Sequence, residues 1–121
     1  MSVELSPRLK TVASFLEGAT LLCDVGSDHA YLPVYAIQQG LITSAIAGEV
    51  VKGPFESAQQ TVQDYVLNDK ISVRLGDGLD VVTSEDEVTA ISICGMGGEL
   101  IARILEQGRV NGTLTGKERL V

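Results

Sequence analysis

The sequence predicts an open α/β domain, a parallel sheet with helices on both faces. Two observations carry this. Short apolar runs suited to buried strands alternate with longer segments whose apolar residues recur at helical spacing, the pattern of a doubly wound sheet with right-handed crossovers. Each apolar run is followed by a turn bearing glycine and an acidic or small residue, at 24–29, 48–49, 76–78 and 95–98. In such sheets ligands bind just beyond the carboxyl ends of the strands.

The elements follow in order. Ser6 is suited to cap a first helix and Pro7 to occupy its first position. Leu9, Val12, Ala13 and Leu16 recur at helical spacing, Gly18 closes the element, and Leu5 is placed for a staple contact. Leu21, Leu22 and Cys23 form a first strand, followed by the polar turn. Residues 32–39 read as a helix with Val34 and Ile37 inward and Gly40 as its stop. Residues 44–47 read as a second strand with Gly48-Glu49 after it. Pro54 starts the next helix, with Phe55, Ala58, Val62 and Val66 on one face. Residues 71–75 alternate as a third strand, Gly76-Asp77-Gly78 ends it, and a short helix over 79–83 follows. Residues 90–94 form the fourth strand, Gly95 to Gly98 the next turn, and 99–107 a helix with Leu100, Ile101, Ile104 and Leu105 inward. Residues 108–116 are a polar loop. Residues 117–121 look like the approach to a fifth strand. Four strands with both edges open make an awkward final sheet. The expectation is therefore a single domain over 1–121 that is the N-terminal portion of a longer protein, cut at about its fifth strand. A second copy of the chain is one way to cover the open edge.

Composition bounds the function. The 121 residues suffice for one domain that buries about two-thirds of its surface. No apolar run reaches the length of a membrane span and no secretory core precedes a cleavage site, so a cytoplasmic protein without a membrane partner is expected. Cys23 and Cys94 fall in different expected strands and form no CxxC pair, which reads as two free structural thiols. No metal site is expected. The net charge of −7 argues against this segment as a strong general binder of nucleic acid, while leaving room for a basic surface elsewhere in a complete molecule.

The turn after the first strand narrows the ligand. Nucleotide-binding turns use glycine so that the backbone can approach a pyrophosphate. Here Asp24 and Asp28 share the turn with no Lys or Arg between them. Two anions repel a pyrophosphate and attract a cation. S-adenosyl-L-methionine, a phosphate-free nucleoside carrying a sulfonium and an ammonium, fits this turn better than NAD. The other strand ends agree. Glu49 lies roughly 20 residues beyond the glycine turn, as expected of a carboxylate that bonds ribose hydroxyls. Asp77-Gly78 offers an acceptor for an adenine amino group, and Gly95-Met96-Gly97-Gly98 is a backbone-rich wall that no side chain blocks. Val50 and Cys94 complete the expected cofactor-binding set.

The strings DVGSDHAYLP, GEVVKGP, VRLGDGL and ICGMGGELI, in this order and spacing, resemble the bacterial tRNA (adenine-22-N1)-methyltransferase family. The resemblance runs from Leu5 to about Leu105. It implies a Rossmann-like class I methyltransferase fold that uses S-adenosyl-L-methionine, with tRNA as the substrate. By that resemblance Asp24, Gly26 and Ser27 form the methionine side of the cofactor site, Glu49 holds the ribose, Asp77 and Gly78 the adenine, and Gly95, Met96 and Gly97 the sulfonium side. Family members also carry further strands and a C-terminal helical domain that helps hold tRNA. Neither lies in these residues, so little methylation by this segment alone is expected. Two departures from the generic methyltransferase pattern stand out. Asp28 and Ala30 occupy the places of the second and third glycine of the first turn, and CGMGG replaces the Asn/Asp-Pro-Pro-aromatic motif after strand four.

The reaction asks little of an acid or base. Adenine N1 has a lone pair and attacks the sulfonium methyl directly, so positioning and a nearby carboxylate or dipole carry most of the catalysis. N1 lies on the pairing edge, so the base must be exposed or turned out. Asp28 is the first candidate for contact with the amino group or the product charge, His29 the second, and Tyr31 is placed to stack on the base. Each has a plainer role: helix N-cap for Asp28, a loop-fixing hydrogen bond for His29, core packing for Tyr31. Two other functions remain open on the residues alone: an NAD-dependent oxidoreductase domain, which suits Glu49 but not the acidic turn, and a non-catalytic interaction module.

Overall fold

The computed structural model describes residues 4–27, 29–83, 86–93, 98–110 and 118–120. Five of the expected site residues, Asp28, Cys94, Gly95, Met96 and Gly97, lie outside the described residues. Five parallel strands, β1 (Leu21–Val25), β2 (Ser44–Glu49), β3 (Ile71–Leu75), β4 (Ala90–Ile93) and β5 (Arg119–Leu120), form one sheet in the order β3-β2-β1-β4-β5. Between them run α1 (Pro7–Ser14), α2 (Tyr31–Gln38), α3 (Lys52–Asp64), a 3-10 turn (Gly78–Val81) and α4 (Gly98–Val110).

The strand pleat divides the core in two. Leu22, Ala45, Ala47, Ile71 and Ala90 pack with residues of the first three helices, including Ala13, Val34, Ala58 and Val62. Cys23, Val25, Ile46 and Ile91 point the other way, onto Leu79, Val81, Val82 and Ile104. The central strand is thus buried on both faces, which is why its sequence is a nearly continuous apolar run. The alanines let helices lie close to the sheet. Cys23 is free and fully buried. Burial, with the neighbouring Asp24 charge, pushes its thiol up to about 12, so it stays an inert thiol.

Several boundaries differ from the sequence expectation, each for a local reason. Ser6 caps α1, its hydroxyl accepting from the Leu9 N–H at 3.3 Å. The helix proper ends at Ser14, and turn hydrogen bonds from Leu16 to Ala13 (3.0 Å) and from Ala19 to Leu16 (2.9 Å) carry the chain past Gly18, which adopts φ +89°. Helix α2 starts one residue early, and Ala30, at φ 59°, holds its N-cap position without a side-chain bond. The plainer role of Asp28, as a helix cap, falls on a residue outside the described ones. Glu49 is the last residue of β2 rather than part of a following turn. Helix α3 begins at Lys52, before Pro54, because the first helical turn needs no N–H from proline. Val66 is a further correction. It lies beyond the helix end at φ 57° and is 80% exposed, whereas Thr61 takes the inward place and donates to the Ser57 carbonyl at 3.0 Å. The short helix expected over 79–83 is the 3-10 turn one residue earlier. Helix α4 buries Ile104 and half-buries Ile101 and Leu105; the Leu100 side chain lies outside the description. The approach to a fifth strand expected over 117–121 is met by β5, which pairs with β4 through Ala90↔Arg119 and Ile91↔Leu120.

Away from the strand ends, Arg74 on β3 ties the chain that follows back to the sheet. Its guanidinium donates to Asp86 through Nη1 (2.7 Å) and Nη2 (3.2 Å), to the Val81 carbonyl (2.8 Å) and to Ser72 Oγ (3.0 Å). Asp86 also accepts from the N–H and hydroxyl of Thr83 at 2.8 and 3.1 Å. The Arg74 bonds, followed in part by those of Thr83, hold the Asp86 carboxyl down at about 2. Among the described residues no helix is long and apolar enough to cross a membrane.

Candidate functional site

The carboxyl ends of the first three strands are fastened side by side. The N–H groups of Gly26 and Ser27 both donate to the Gly48 carbonyl, at 2.9 and 3.2 Å, and the Gly76 N–H donates to the Glu49 carbonyl at 2.7 Å. Beyond them opens a cleft of about 350 Å³, within the ordinary size of small-molecule sites. Its walls are Val25 at the end of β1 with Gly26 after it, Gly48 and Glu49 at the end of β2 with Val50 after them, the turn Gly76-Asp77-Gly78 after β3, and Arg103 with Ile104 from α4.

Glycine is required here by packing as much as by any ligand. A Cβ on Gly76 would stand 2.9 Å from Val81 Cγ1, and one on Gly48 would stand 3.0 Å from Val81 Cγ2. Gly78 has φ +58°, and its Cβ would meet Ile104 at 3.1 Å. The 3-10 turn is therefore packed tightly against the strand ends, and apolar Val25, Val50 and Ile104 line the cleft together with Glu49 and Asp77.

The expected site residues divide into groups. Gly26, Glu49, Val50, Asp77 and Gly78 are brought together on the cleft wall. Asp24 lies beneath it. Only 2% of Asp24 is exposed, and both carboxylate oxygens are used: Oδ2 accepts from Ser27 Oγ and Oδ1 from Ser92 Oγ, each at 2.7 Å. Ser92 is its register partner on β4. Burial pushes the Asp24 carboxyl up to about 6; the Ser92 and Ser27 bonds pull it down, and the Glu49 charge adds to the rise. His29 and Tyr31 flank Ala30 with their rings stacked, centroids 5.1 Å apart and planes 21° from parallel. Tyr31 is 39% exposed, so core packing is not its role, and the pair stands at the start of α2 rather than on the described cleft wall.

Sequence reasoning missed Ser92 and Arg103. Ser92 did carry a signal, a hydroxyl inside the apolar run Ala90 to Ile93 that needs a buried partner. Ile104 had been expected inward as packing, and it packs and lines the cleft at once. Arg103 is an exposed helix residue, and nothing in the local pattern sets it apart.

An open parallel sheet in this order, with a mixed apolar and acidic cleft across its first three strand ends, defines the class. It is a Rossmann-like domain of the kind found in S-adenosylmethionine-dependent methyltransferases; at fold level alone it matches such a protein from Thiobacillus denitrificans at 18% identity and a TM-score of 0.64. Within that class, the chain belongs to the tRNA (adenine(22)-N(1))-methyltransferase family, whose model matches residues 22–121. It is 52% identical over 119 residues to the enzyme of that description from Bacillus subtilis, covering 98% of this chain and 49% of that one. The crystal structure of the B. subtilis protein, TrmK, superposes with a TM-score of 0.92. Streptococcus pneumoniae Sp1610, solved in complex with S-adenosyl-L-methionine, is 53% identical with a TM-score of 0.91 over 97% of this chain and 54% of its own. M. capricolum TrmK, solved with S-adenosyl-homocysteine, is 34% identical with a TM-score of 0.80 over 84% of this chain and 46% of its own. The chain thus spans about half the length of the curated relative it matches. Family membership leaves the oxidoreductase and the non-catalytic alternatives unfavoured.

Proposed function

We propose that this chain is the cofactor-binding part of an S-adenosyl-L-methionine-dependent enzyme that methylates N1 of adenine 22 in tRNA, and that it works in the cytoplasm. The observation that carries the reading is the close likeness to the S. pneumoniae protein solved with that cofactor. The donor set of the cleft fits the group. Val50 and Ile104 suit the faces of an adenine ring, and Asp77 can accept from its amino group. Glu49, buried on the cleft wall, suits the two ribose hydroxyls. The turn at Gly26-Ser27 takes the methionine end, and Gly95, Met96 and Gly97 with Cys94 the sulfonium side.

The cofactor supplies an electrophilic methyl group. Adenine N1 forms its bond to that methyl as the methyl–sulfur bond breaks, and the positive charge passes to the adenine. The chain's part is to hold the two reactants in line. Asp28 takes the amino group or the product charge, His29 assists it, and Tyr31 offers its open face to the base, with His29 stacked behind it. A base–aromatic stack of this kind contributes about 1–3 kcal/mol. Most of the grip on tRNA falls to the half of the relatives that this chain does not match.

Titration calorimetry tests the cofactor reading. S-adenosylhomocysteine is expected to bind and NAD not to compete with it. Glu49→Ala is expected to weaken binding about tenfold or more, the loss of a charged hydrogen-bond acceptor. A folded chain that takes up no S-adenosylhomocysteine contradicts the proposal.

A further inference from the structure

Two non-glycine residues among the described ones have a positive φ, Val66 and Ala30. Val66 lies just past the end of α3, where helices commonly close in the left-handed conformation, and it is 80% exposed. Ala30 is different. It opens a helix instead of ending one, at φ 59° and ψ 23°. Its side chain is fully buried in the first core cluster, with Leu32, Val34 and Ala36. A left-handed alanine carries strain that glycine at the same place would not, and the generic methyltransferase turn has glycine here. Backbone preference alone therefore favours glycine at position 30.

The surroundings show what the corner accomplishes. The Ala30 N–H donates to the Ser27 carbonyl at 3.2 Å, and the Ala30 carbonyl accepts from the Val34 N–H at 3.1 Å. With the methyl group enclosed as well, the corner is held on all sides. Next to it, His29 and Tyr31 bring their rings into a stack, 5.1 Å between centroids and 21° from parallel. Residues two apart stand about 6.7 Å from each other along an extended strand, and on a right-handed helix they point about 200° apart. The left-handed corner avoids both outcomes. The stack faces outward, with both rings exposed, while Ala30 itself meets no solvent.

We propose that Ala30 is a positioning residue for methyl transfer, its buried methyl group locking the corner that holds His29 and Tyr31 as a preformed aromatic platform for the acceptor adenine. The two rings then lose their rotamer freedom when the protein folds and not when the RNA arrives, so less ordering opposes the docking of the base. Glycine at position 30 would leave the corner accessible but no longer enforced. The inference deepens the reading of Tyr31 as the stacking partner of the base and rests on it. It is separate from cofactor binding, since the pair lies off the described cleft wall.

His29 is the only histidine in the chain, so its ring protons give a single set of nuclear magnetic resonance signals from the whole protein. In the wild type, before any RNA is added, the ring current of Tyr31 is expected to hold them upfield of free histidine. Tyr31→Leu is expected to abolish this shift and Tyr31→Phe to keep it. Ala30→Gly is expected to lose most of it while binding S-adenosylhomocysteine within about twofold of the wild type. With tRNA and S-adenosyl-L-methionine, Ala30→Gly is expected to lower kcat/KM for tRNA about tenfold. In the Tyr31→Leu background the same change is expected to lower it no further. A purely structural role for Ala30 would lower transfer equally in both backgrounds. That result, or an Ala30→Gly protein with the wild-type shift and wild-type transfer, overturns the inference while the stacking reading stands. Should Ala30→Gly not fold, the free wild type decides: upfield His29 signals support the preformed platform, and signals at the ordinary position overturn it. Undiminished transfer by Tyr31→Leu overturns the stacking reading and the inference together.

Discussion

Asp24 and Asp86 are held on opposite faces of one sheet, under opposite conditions. Asp86 sits in a half-exposed brace where Arg74 grips both its oxygens and Thr83 adds two more donors. Its charge is welcome there, and its carboxyl is lowered to about 2. Asp24 is buried with two hydroxyls, and its carboxyl is raised to about 6. One aspartate supports the fold, tying the 3-10 turn and the following linker to β3. The other works against the fold at the point where the cleft begins. A buried charge held by two neutral hydroxyls, placed under a ligand-binding turn, points to function more than a charge paired with an arginine.

The comparison can be broken by substitution, and the largest expected effect is on the supporting side. Asp86→Ala leaves Arg74 without its main partner and is expected to cost about 2–3 kcal/mol at pH 7, read by urea unfolding. A lowered carboxyl stabilises above its unfolded value and loses that contribution as pH falls through its folded value. The difference between Asp86→Ala and wild type is therefore full at pH 7, shrinks below about pH 4, and is gone near pH 2. A smaller effect of opposite sign is expected at the cleft. Asp24→Asn removes the buried charge while keeping the shape, and is expected to raise stability at pH 7 by about 1 kcal/mol. A raised carboxyl costs stability above its folded value, so this gain disappears as pH falls from about 6 toward 4. The same variant is expected to bind S-adenosylhomocysteine more weakly. A loss of stability at pH 7, or unchanged binding, would show that Asp24 belongs with Asp86.

Much of the fold was legible because periodicity and turn chemistry report directly on it. The order of strands and helices, the Ser6 cap and β3 all stand where the pattern put them. Errors fall where the tertiary structure overrides local preference. Val66 continues the helical stripe on paper, yet the chain has already turned at φ 57°. Gly48-Glu49 reads as a turn, yet pairing with Gly76 and Leu75 extends β2 to its end. At the site, Glu49, Asp77 and the glycines were found because each follows a strand. Asp24 was found for its charge, but its depth was not, because burial depends on which way the pleat carries a side chain at the strand end. Ser92 became meaningful only through register, 68 positions away from Asp24. Arg103 reached the cleft by helix placement, which no local motif encodes.

The most direct test of the account is a crystal structure of the protein with S-adenosylhomocysteine. It is expected to show the ribose hydroxyls bonded to the Glu49 carboxylate, the adenine between Val50 and Ile104, and the methionine end at the Gly26-Ser27 turn. The ligand lodged away from the ends of β1, β2 and β3, with Glu49 untouched, would contradict it.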